Sequence, residues 1–160
     1  MYEEKILVID YGSQYTQLIA RRIRENKAYC EVLKPESLIN LETYKNIIGV
    51  ILSGGPNSVS KDNQYDLPDI LFEKCIPVLG ICFGMQLICK KFNGEVKEST
   101  SREYGKSNLD IIQKNKIFEG LENSIEVWMS HGDSVIKCPT DFSILATTNK
   151  EGLSAIKLNG

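Results

Sequence analysis

The chain has 160 residues, enough for one domain with a sizeable core, and its hydrophobic share of 42% and charged share of 25% are ordinary for globular proteins. A net charge of −2 gives no electrostatic reason to expect binding to nucleic acid or to an anionic membrane. No apolar run reaches the roughly 20 residues of a transmembrane helix, and the residues before Lys5 lack a signal-peptide pattern.

The cysteines and the single histidine restrict the metal and redox chemistry of the chain. The cysteine count is odd, and the spacing matches neither a zinc-ligand pattern nor a disulfide framework. With His131 as the sole histidine, a Cys/His metal site is not expected. The composition therefore predicts a cytoplasmic protein with reduced thiols, no metal and no membrane association. The cysteines are at positions 30, 75, 82, 89 and 138.

The first half of the chain alternates apolar strand patterns with helical patterns. This alternation predicts an α/β fold with a doubly wound, mostly parallel sheet and helices on both faces. Strands are predicted at 5–10, 29–33, 47–52 and 76–79, and helices at 15–23, around 66–74 and from 85 to 92.

After Gly94 the pattern changes to short β-like runs that are separated by turn residues, with little helix between them. The runs predict additional antiparallel edge strands on the same domain, so that 1–160 forms one domain without a linker. They lie at 107–113, 125–129, 134–137, 143–148 and 153–158.

The segment Gly80–Gly84 places a cysteine between a strand and a helix. A side chain at the apex of such a turn points away from the sheet, and the two flanking glycines relieve crowding, as in a nucleophile elbow. The first N–H groups of the helix also favour a thiolate over a thiol. Cys82 is therefore predicted to be a nucleophile. The alternative, a buried structural cysteine, is preferred for the other four.

A second glycine-rich turn, Ser53–Asn57, follows the preceding strand. It lies at the carboxyl end of a predicted parallel strand, where ligands bind open α/β sheets. Alone, a Gly-Gly-Pro sequence is more often only a turn. Beside the elbow it predicts an oxyanion hole, with one N–H from this turn and the other from Phe83.

The segment 128–133 contains the only histidine, followed by Gly132 and Asp133. His131 and Asp133 have the residue types of a base and its orienting carboxylate. The competing interpretation is a polar turn between two strands, or a loop that contacts a ligand. The residues alone leave both open, because a base needs hydrogen-bond reach to the sulfur. A similar choice holds for Asp10–Gln14, which lines the site or starts a helix capped by Ser13.

Together these motifs resemble the class I, triad-type glutamine amidotransferase family. The segment 80–86 is similar to the family's nucleophile motif, and 52–56 is similar to its oxyanion loop. The segments 10–22, 102–105 and 128–133 resemble the GMP synthase branch more than the anthranilate, carbamoyl-phosphate or pyridoxal-phosphate branches. The resemblance extends over essentially the whole chain.

The resemblance implies that Cys82 attacks the side-chain amide of L-glutamine, forms a glutamyl thioester and releases ammonia, after which water releases glutamate. It implies that the N–H groups of Gly55 and Phe83 hold the oxyanion, and that this reaction needs no cofactor or metal. It favours His131 as a residue that lines the site rather than as the base. Substrate contacts are implied for Gln86, Asn57, Ser130, His131, Gly132 and Asp133.

In one respect the sequence departs from the family. The triad His and Glu of the family lie in a His-Pro-Glu motif, which this sequence does not contain. The resemblance also implies a synthase domain, in the same chain or on a separate polypeptide, that uses ATP and Mg²⁺ to aminate XMP to GMP. We therefore expect a shortened amidotransferase domain with severely impaired activity. The alternatives are a non-catalytic glutamine-binding fragment, or the amidotransferase subunit of another class I enzyme such as anthranilate or carbamoyl-phosphate synthase.

Overall fold

The computed structural model describes residues 4–61, 65–148 and 152–159, with the backbone only for 99–104. The residues group into two compact units, each with its own four-stranded sheet. The first unit comprises Met1–Asn57 and Asp62–Ile88, and the second comprises Ser58–Lys61 and Cys89–Gly160.

The first unit is built on a parallel sheet with the strand order β2-β1-β3-β4. Each strand is short and apolar, as the sequence predicts. The strands are β1 (Lys5–Ile9), β2 (Cys30–Leu33), β3 (Ile47–Leu52) and β4 (Val78–Gly80).

Helical segments connect these strands. The helix α3 follows β4, and its last residues are counted with the second unit. The segments are α1 (Thr16–Glu25), 3₁₀ turns over Pro35–Thr43, α2 (Ile70–Glu73) and α3 (Phe83–Lys91).

Both faces of the parallel sheet are covered. The apolar stripe of α1, which includes Ala20 and Ile23, packs with Val8 on one face. Leu7 and Ile9 point to the opposite face because side chains alternate along a strand, and both are 0% exposed. Burial on both faces explains why these strands are continuous apolar runs rather than alternating ones.

The second unit is built on an antiparallel sheet with the strand order β6-β5-β7-β8. The two long strands β5 and β6 pair with each other, with a register irregularity between Glu98 and Glu103. Buried apolar side chains such as Val135 and Leu145 contribute to the core of this unit. The strands are β5 (Glu95–Ile111), β6 (Ser124–Lys137), β7 (Phe142–Thr148) and β8 (Gly152–Leu158).

The predicted fold class is confirmed, and two details are corrected. The antiparallel strands do not extend the parallel sheet, because they hydrogen-bond to one another as a separate sheet. The helix predicted around 66–74 is reduced to the single turn α2. Pro68 disfavours helical geometry at Leu67, and Cys75 has a positive φ of 51°, so the helix is restricted at both ends.

One interpretation of 128–133, a polar turn between two strands, is also corrected, because β6 runs without a break from Ser124 to Lys137. Ser130 and His131 pair with Tyr104 and Glu103 of β5, and Asp133 pairs with Glu98. Pairing with a distant segment therefore overrides the local turn signal of Gly132. Over the parts of the chain that the structure describes, the helices are all too short or too polar to cross a bilayer.

Candidate functional site

Cys82 lies between β4 and α3 with a φ of 52°, a left-handed conformation that non-glycine residues rarely adopt. Such a conformation costs about 1 kcal/mol or more and persists only where the surrounding structure enforces it. The thiol is half-buried. The strained cysteine at a strand–helix junction is therefore the geometry expected of a nucleophile elbow.

The glycines on either side of Cys82 lie where a Cβ atom would collide with neighbouring atoms. A Cβ atom on Gly80 would lie 2.6 Å from the carbonyl carbon of Gly84 and from the nitrogen of Met85. A Cβ atom on Gly84 would collide with the carbonyl oxygen of Leu52. The first turn of α3 thus approaches the end of β3 so closely that only glycine fits.

Backbone hydrogen bonds fasten the elbow to the end of β3. The Ile81 N–H donates to the carbonyl of Leu52 at 2.9 Å, and the Gly84 N–H donates to the carbonyl of Ser53 at 3.1 Å. The Gln86 N–H closes the first turn of α3 by donating to the carbonyl of Cys82 at 3.1 Å. The position of Cys82 is therefore set by the main chain on both sides.

The Gly54–Gly55 turn lies next to Cys82. A Cβ atom on Gly54 would be 3.6 Å from the Cβ of Cys82 and 3.4 Å from Oγ of Ser13. A Cβ atom on Gly55 would be 2.8 Å from the carbonyl oxygen of Tyr11, which excludes a side chain there without movement. The two glycines allow the backbone to approach the nucleophile.

Two N–H groups near Cys82 suit a developing negative charge. Within the described ranges of the chain, neither Gly55 nor Phe83 donates a backbone hydrogen bond. Phe83 is the first residue of α3, where N–H groups have no partner within the helix. The sequence prediction named both as oxyanion donors, and their use as donors stays a prediction.

An aromatic cluster of Tyr11, Tyr65 and Phe83 lies beside this turn. The ring centroids are 5.2 Å apart for the two tyrosines, and they lie 5.4 Å and 5.9 Å from that of Phe83. Burial raises the pKa of Tyr11 well above its usual value, and neighbouring Tyr65 raises it further. The Tyr11 hydroxyl therefore stays neutral, and the sequence analysis did not single out this cluster.

The Asp10–Gln14 segment forms a hydrogen-bonded turn before α1. Oδ1 of Asp10 accepts from the Gly12 N–H at 2.9 Å and from the Thr16 hydroxyl at 2.7 Å. Oγ of Ser13 accepts from the Tyr15 N–H at 3.1 Å. Ser13 thus supports the turn, whereas the residue at the helix boundary is Tyr15, so the predicted N-cap is displaced by two residues.

The segment Ser130–Asp133 belongs to the second unit, within β6. The Asp133 side chain is buried, and its Oδ2 accepts from the hydroxyl of Ser58 at 2.7 Å. The same oxygen accepts from the N–H and the hydroxyl of Ser60, each at 3.3 Å. Asp133 therefore holds the segment 58–61 against β6, a role that the sequence did not indicate.

The structure distributes the predicted site residues over both units. In the first unit, Gly55, Phe83 and Cys82 lie at the junction of β3, β4 and α3. Gln86 is buried in the first turns of α3, and Asn57 ends the glycine turn. In the second unit, Ser130, His131, Gly132 and Asp133 follow one another along β6, with Nδ1 of His131 buried.

Sequence interpretation included Ser53 in the glycine-rich turn but gave it no role of its own. This residue is 0% exposed, and its hydroxyl joins the end of β1 to the glycine turn. The signal available was a polar residue directly after an apolar strand, which is too common to identify a role. Within the described part of the chain, no cluster of three or more His, Cys, Asp or Glu side chains is arranged to hold a metal ion.

Comparison with known proteins adds independent evidence. Residues 7–159 match the family model of the class-I glutamine amidotransferases. A GMP synthase [glutamine-hydrolyzing] of Natranaerobius thermophilus is 45% identical over 156 residues, which are 98% of this chain and 31% of that protein. The chain thus spans about a third of the length of the curated relatives it matches.

Solved structures agree on the fold. A Thermoplasma acidophilum protein, described as a candidate component of GMP synthase, has a TM-score of 0.84 at 27% identity, covering 99% of this chain and 79% of that one. A Thermotoga maritima glutamine amidotransferase has a TM-score of 0.74 at 22% identity, covering 99% and 75%, and supports the fold alone. From the match over 7–159 and the elbow at Cys82, the chain belongs to the class-I glutamine amidotransferase family.

Proposed function

We propose that the chain is the glutaminase part of a GMP synthase, in which Cys82 attacks the side-chain amide of L-glutamine and the ammonia released aminates XMP to GMP. The observation that carries the proposal is the strained Cys82 beside the Gly54–Gly55 turn. The specific choice of GMP synthase is supported by the 45% identity to the Natranaerobius protein of that name.

The proposed chemistry has two steps, which are formation of a glutamyl thioester and its hydrolysis. The thiolate of Cys82 adds to the amide carbon, and the negative charge on the amide oxygen is held by the N–H groups of Gly55 and Phe83. The carbon–nitrogen bond then breaks, ammonia leaves with a proton, and a glutamyl thioester remains. Water attacks the thioester, which releases glutamate and restores the thiol.

The remaining predicted residues are proposed as contacts to glutamine. Gln86 lies one helical turn after Cys82, and its N–H already bonds to the Cys82 carbonyl. Asn57 ends the glycine turn, and the family resemblance supports Ser130, His131, Gly132 and Asp133 as contacts to the α-amino and α-carboxylate groups. The Asp133 carboxylate is engaged by Ser58 and Ser60, so its contact to glutamine is proposed for the main chain.

The departing ammonia needs a proton, and the family supplies it from the His of a His-Pro-Glu motif. The sequence contains no such motif. The 160-residue chain is therefore proposed to release glutamate on the order of 10³-fold more slowly than a chain with the motif. The competing function, a non-catalytic glutamine-binding module, is favoured by the same observation.

The synthase part is the proposed partner, in the same polypeptide or as a separate subunit, in the cytoplasm. ATP and Mg²⁺ would act there and not at Cys82. The amidotransferase subunit of an anthranilate or carbamoyl-phosphate synthase stays an alternative. Glutamine-dependent GMP formation on mixing this chain with a GMP synthase that lacks its own amidotransferase region would support the GMP synthase choice.

Labelling with a chloromethyl ketone analogue of glutamine tests the nucleophile. The thiolate first adds to the ketone carbon, and the sulfur then displaces chloride from the methylene carbon as the ketone re-forms, so the adduct can be located by peptide mass spectrometry. We expect labelling at Cys82 and none in Cys82→Ala. Cys75 is the internal control, because it is more exposed and has nearly the same φ but lies outside the elbow. Iodoacetamide should label Cys75, whereas equal labelling of both cysteines by the glutamine analogue would refute the proposal.

Glutamate release by the same chain separates the two functions. Slow release that disappears in Cys82→Ala supports the enzyme, whereas Cys82 labelling that glutamine blocks, with no release, supports the binding module. Full turnover by the 160-residue chain would contradict the assignment of the base to the His-Pro-Glu motif and would favour His131 in that role.

A further inference from the structure

Ser53 is fully buried at the end of β3, and each of its polar groups is engaged. Its N–H donates to the carbonyl of Ile9 at 3.0 Å, and its carbonyl accepts from the Gly84 N–H at 3.1 Å. Its hydroxyl oxygen accepts from the Tyr11 N–H at 3.1 Å, and its O–H donates to the carbonyl of Gly54 at 2.9 Å. Ser53 therefore joins β1 and the elbow through its main chain, and its side chain joins the end of β1 to the glycine turn.

The bond to Gly54 constrains the next N–H. The carbonyl of Gly54 and the N–H of Gly55 belong to one peptide group, and the described chain contains no cis peptide bond. In a trans peptide these two groups point in opposite directions. Because the hydroxyl of Ser53 holds the carbonyl, it also fixes the direction of the Gly55 N–H.

Without such a bond this peptide group would be poorly fixed. Glycine populates positive and negative φ with similar ease, so a Gly-Gly peptide can rotate between orientations. A serine hydroxyl has one proton to donate. Since the Tyr11 N–H occupies an acceptor position of the Ser53 oxygen, the hydroxyl proton is directed to Gly54.

We propose that Ser53 is a positioning residue that orients the Gly55 N–H as an oxyanion donor. Ser53 acts through the Gly54–Gly55 peptide and does not touch the substrate itself. The inference rests on the proposed function for its catalytic consequence, but the orientation of the peptide group can be measured without any substrate.

The first test measures the mobility of the Gly55 N–H by ¹⁵N relaxation in the 160-residue chain. We expect an order parameter near 0.85 in the wild type and below about 0.6 in Ser53→Ala. Ser53→Thr keeps the hydroxyl and should stay close to the wild-type value. If Ser53→Ala does not fold, Ser53→Cys replaces it, because a thiol is a weak donor and should raise the mobility partway.

The second test measures inactivation by the chloromethyl ketone analogue of glutamine. Ser53→Ala should lower the maximal labelling rate of Cys82 about 10- to 100-fold and change the half-saturating concentration less than about threefold, as loss of one oxyanion donor predicts. Alkylation by iodoacetamide, which develops no oxyanion, should change less than about twofold. A purely structural role would slow both reagents alike.

Thr16→Val is the matched control for loss of a buried hydroxyl. Thr16 is 1% exposed and its hydroxyl donates to Asp10, so its removal also destabilises the first unit. We expect its Gly55 mobility and labelling rate to stay near the wild type. An unchanged Gly55 order parameter in Ser53→Ala would overturn the inference. If the Gly55 N–H becomes more mobile in Ser53→Ala but the glutamine analogue never labels the wild-type chain, the proposed function is refuted. The positioning of the Gly55 N–H by Ser53 then still holds.

Discussion

The elbow around Cys82 and the segment 130–133 were both selected from the sequence, but only the elbow has the local structure that its sequence predicts. The elbow depends on its own two glycines, because a Cβ atom on Gly80 would collide with the main chain of the first turn of α3, and a Cβ atom on Gly84 would collide with Leu52. The segment 130–133 contains a glycine too, yet it is drawn into β6 by pairing with β5. Steric demands within a turn can therefore be inferred from sequence, whereas strand pairing over a long distance cannot.

The largest expected effect tests the steric requirement in the elbow. Gly84→Ala places a Cβ atom against the carbonyl of Leu52, which is main chain and cannot move away alone. We expect a loss of about 3 kcal/mol or more in the free energy of unfolding, measured by urea titration.

Gly49→Ala in β3 is the matched control for Gly84→Ala. Its Cβ atom would meet the Pro77 carbonyl at an ordinary 3.7 Å. We expect its stability to change by less than about 1 kcal/mol. Equal stability of the two variants would contradict the steric account of the elbow.

The next effect concerns Cys89, which lies seven residues after the nucleophile but is counted with the second unit. Burial raises the pKa of the Cys89 thiol to about 11, and nearby Cys138 adds to the increase. Between pH 9 and 11 the unfolded chain therefore loses a proton that the folded chain keeps, and stability falls as the pH rises. The fall should reach on the order of 2 kcal/mol at pH 10.5.

Cys89→Ala isolates this titration. The substitution carries a constant packing cost, which cancels when the variant is compared with itself at pH 8 and pH 10.5. Its loss of stability over that interval should be smaller than that of the wild type in urea titrations under reducing conditions. A parallel loss in both proteins would show that Cys89 does not carry the alkaline sensitivity.

A smaller effect tests the strain at the nucleophile. Cys82 has a positive φ, so Cys82→Gly should be about 1 kcal/mol more stable than Cys82→Ala. Cys75 has a φ of 51°, and the same pair of substitutions there should show a similar difference. Thermal unfolding of the four variants measures both differences. Only the Cys82 variants should lose labelling by the glutamine analogue, because strain by itself does not make a cysteine a nucleophile.

Much of the first unit could be predicted from the sequence. β3 has the predicted bounds, and β1 and β2 differ from prediction by one residue, because buried parallel strands are continuous apolar runs. The first half of β5 was missed, since 95–106 is dominated by charged and polar residues without strict alternation. The 3₁₀ turns at Pro35–Thr43 were not predicted either, because a short helix with three residues per turn cannot be distinguished from a loop in a sequence.

The candidate site also contains a part that could be predicted from the sequence and a part that could not. Cys82 and its glycines are adjacent in sequence and were identified together. The bond from Tyr11 to the Ser53 hydroxyl joins residues 42 positions apart, and the bond from Ser58 to Asp133 joins residues 75 positions apart. A single sequence contains no signal for such pairs, because either partner alone resembles an ordinary polar residue at a strand end or in a turn.

The smallest expected change in stability separates a glycine required by the fold from one required by a ligand. A Cβ atom on Gly132 would meet nothing within 4 Å in the part of the structure that is described, and its φ is not in the left-handed range. Gly132→Ala should therefore change the free energy of unfolding by less than about 0.5 kcal/mol. If the backbone at 132 contacts glutamine, as proposed, the added methyl group should still raise the half-saturating concentration of the glutamine analogue about tenfold and leave iodoacetamide labelling unchanged. Wild-type behaviour in both assays would remove Gly132 from the proposed glutamine contacts, whereas a large loss of stability would show that the fold itself needs this glycine.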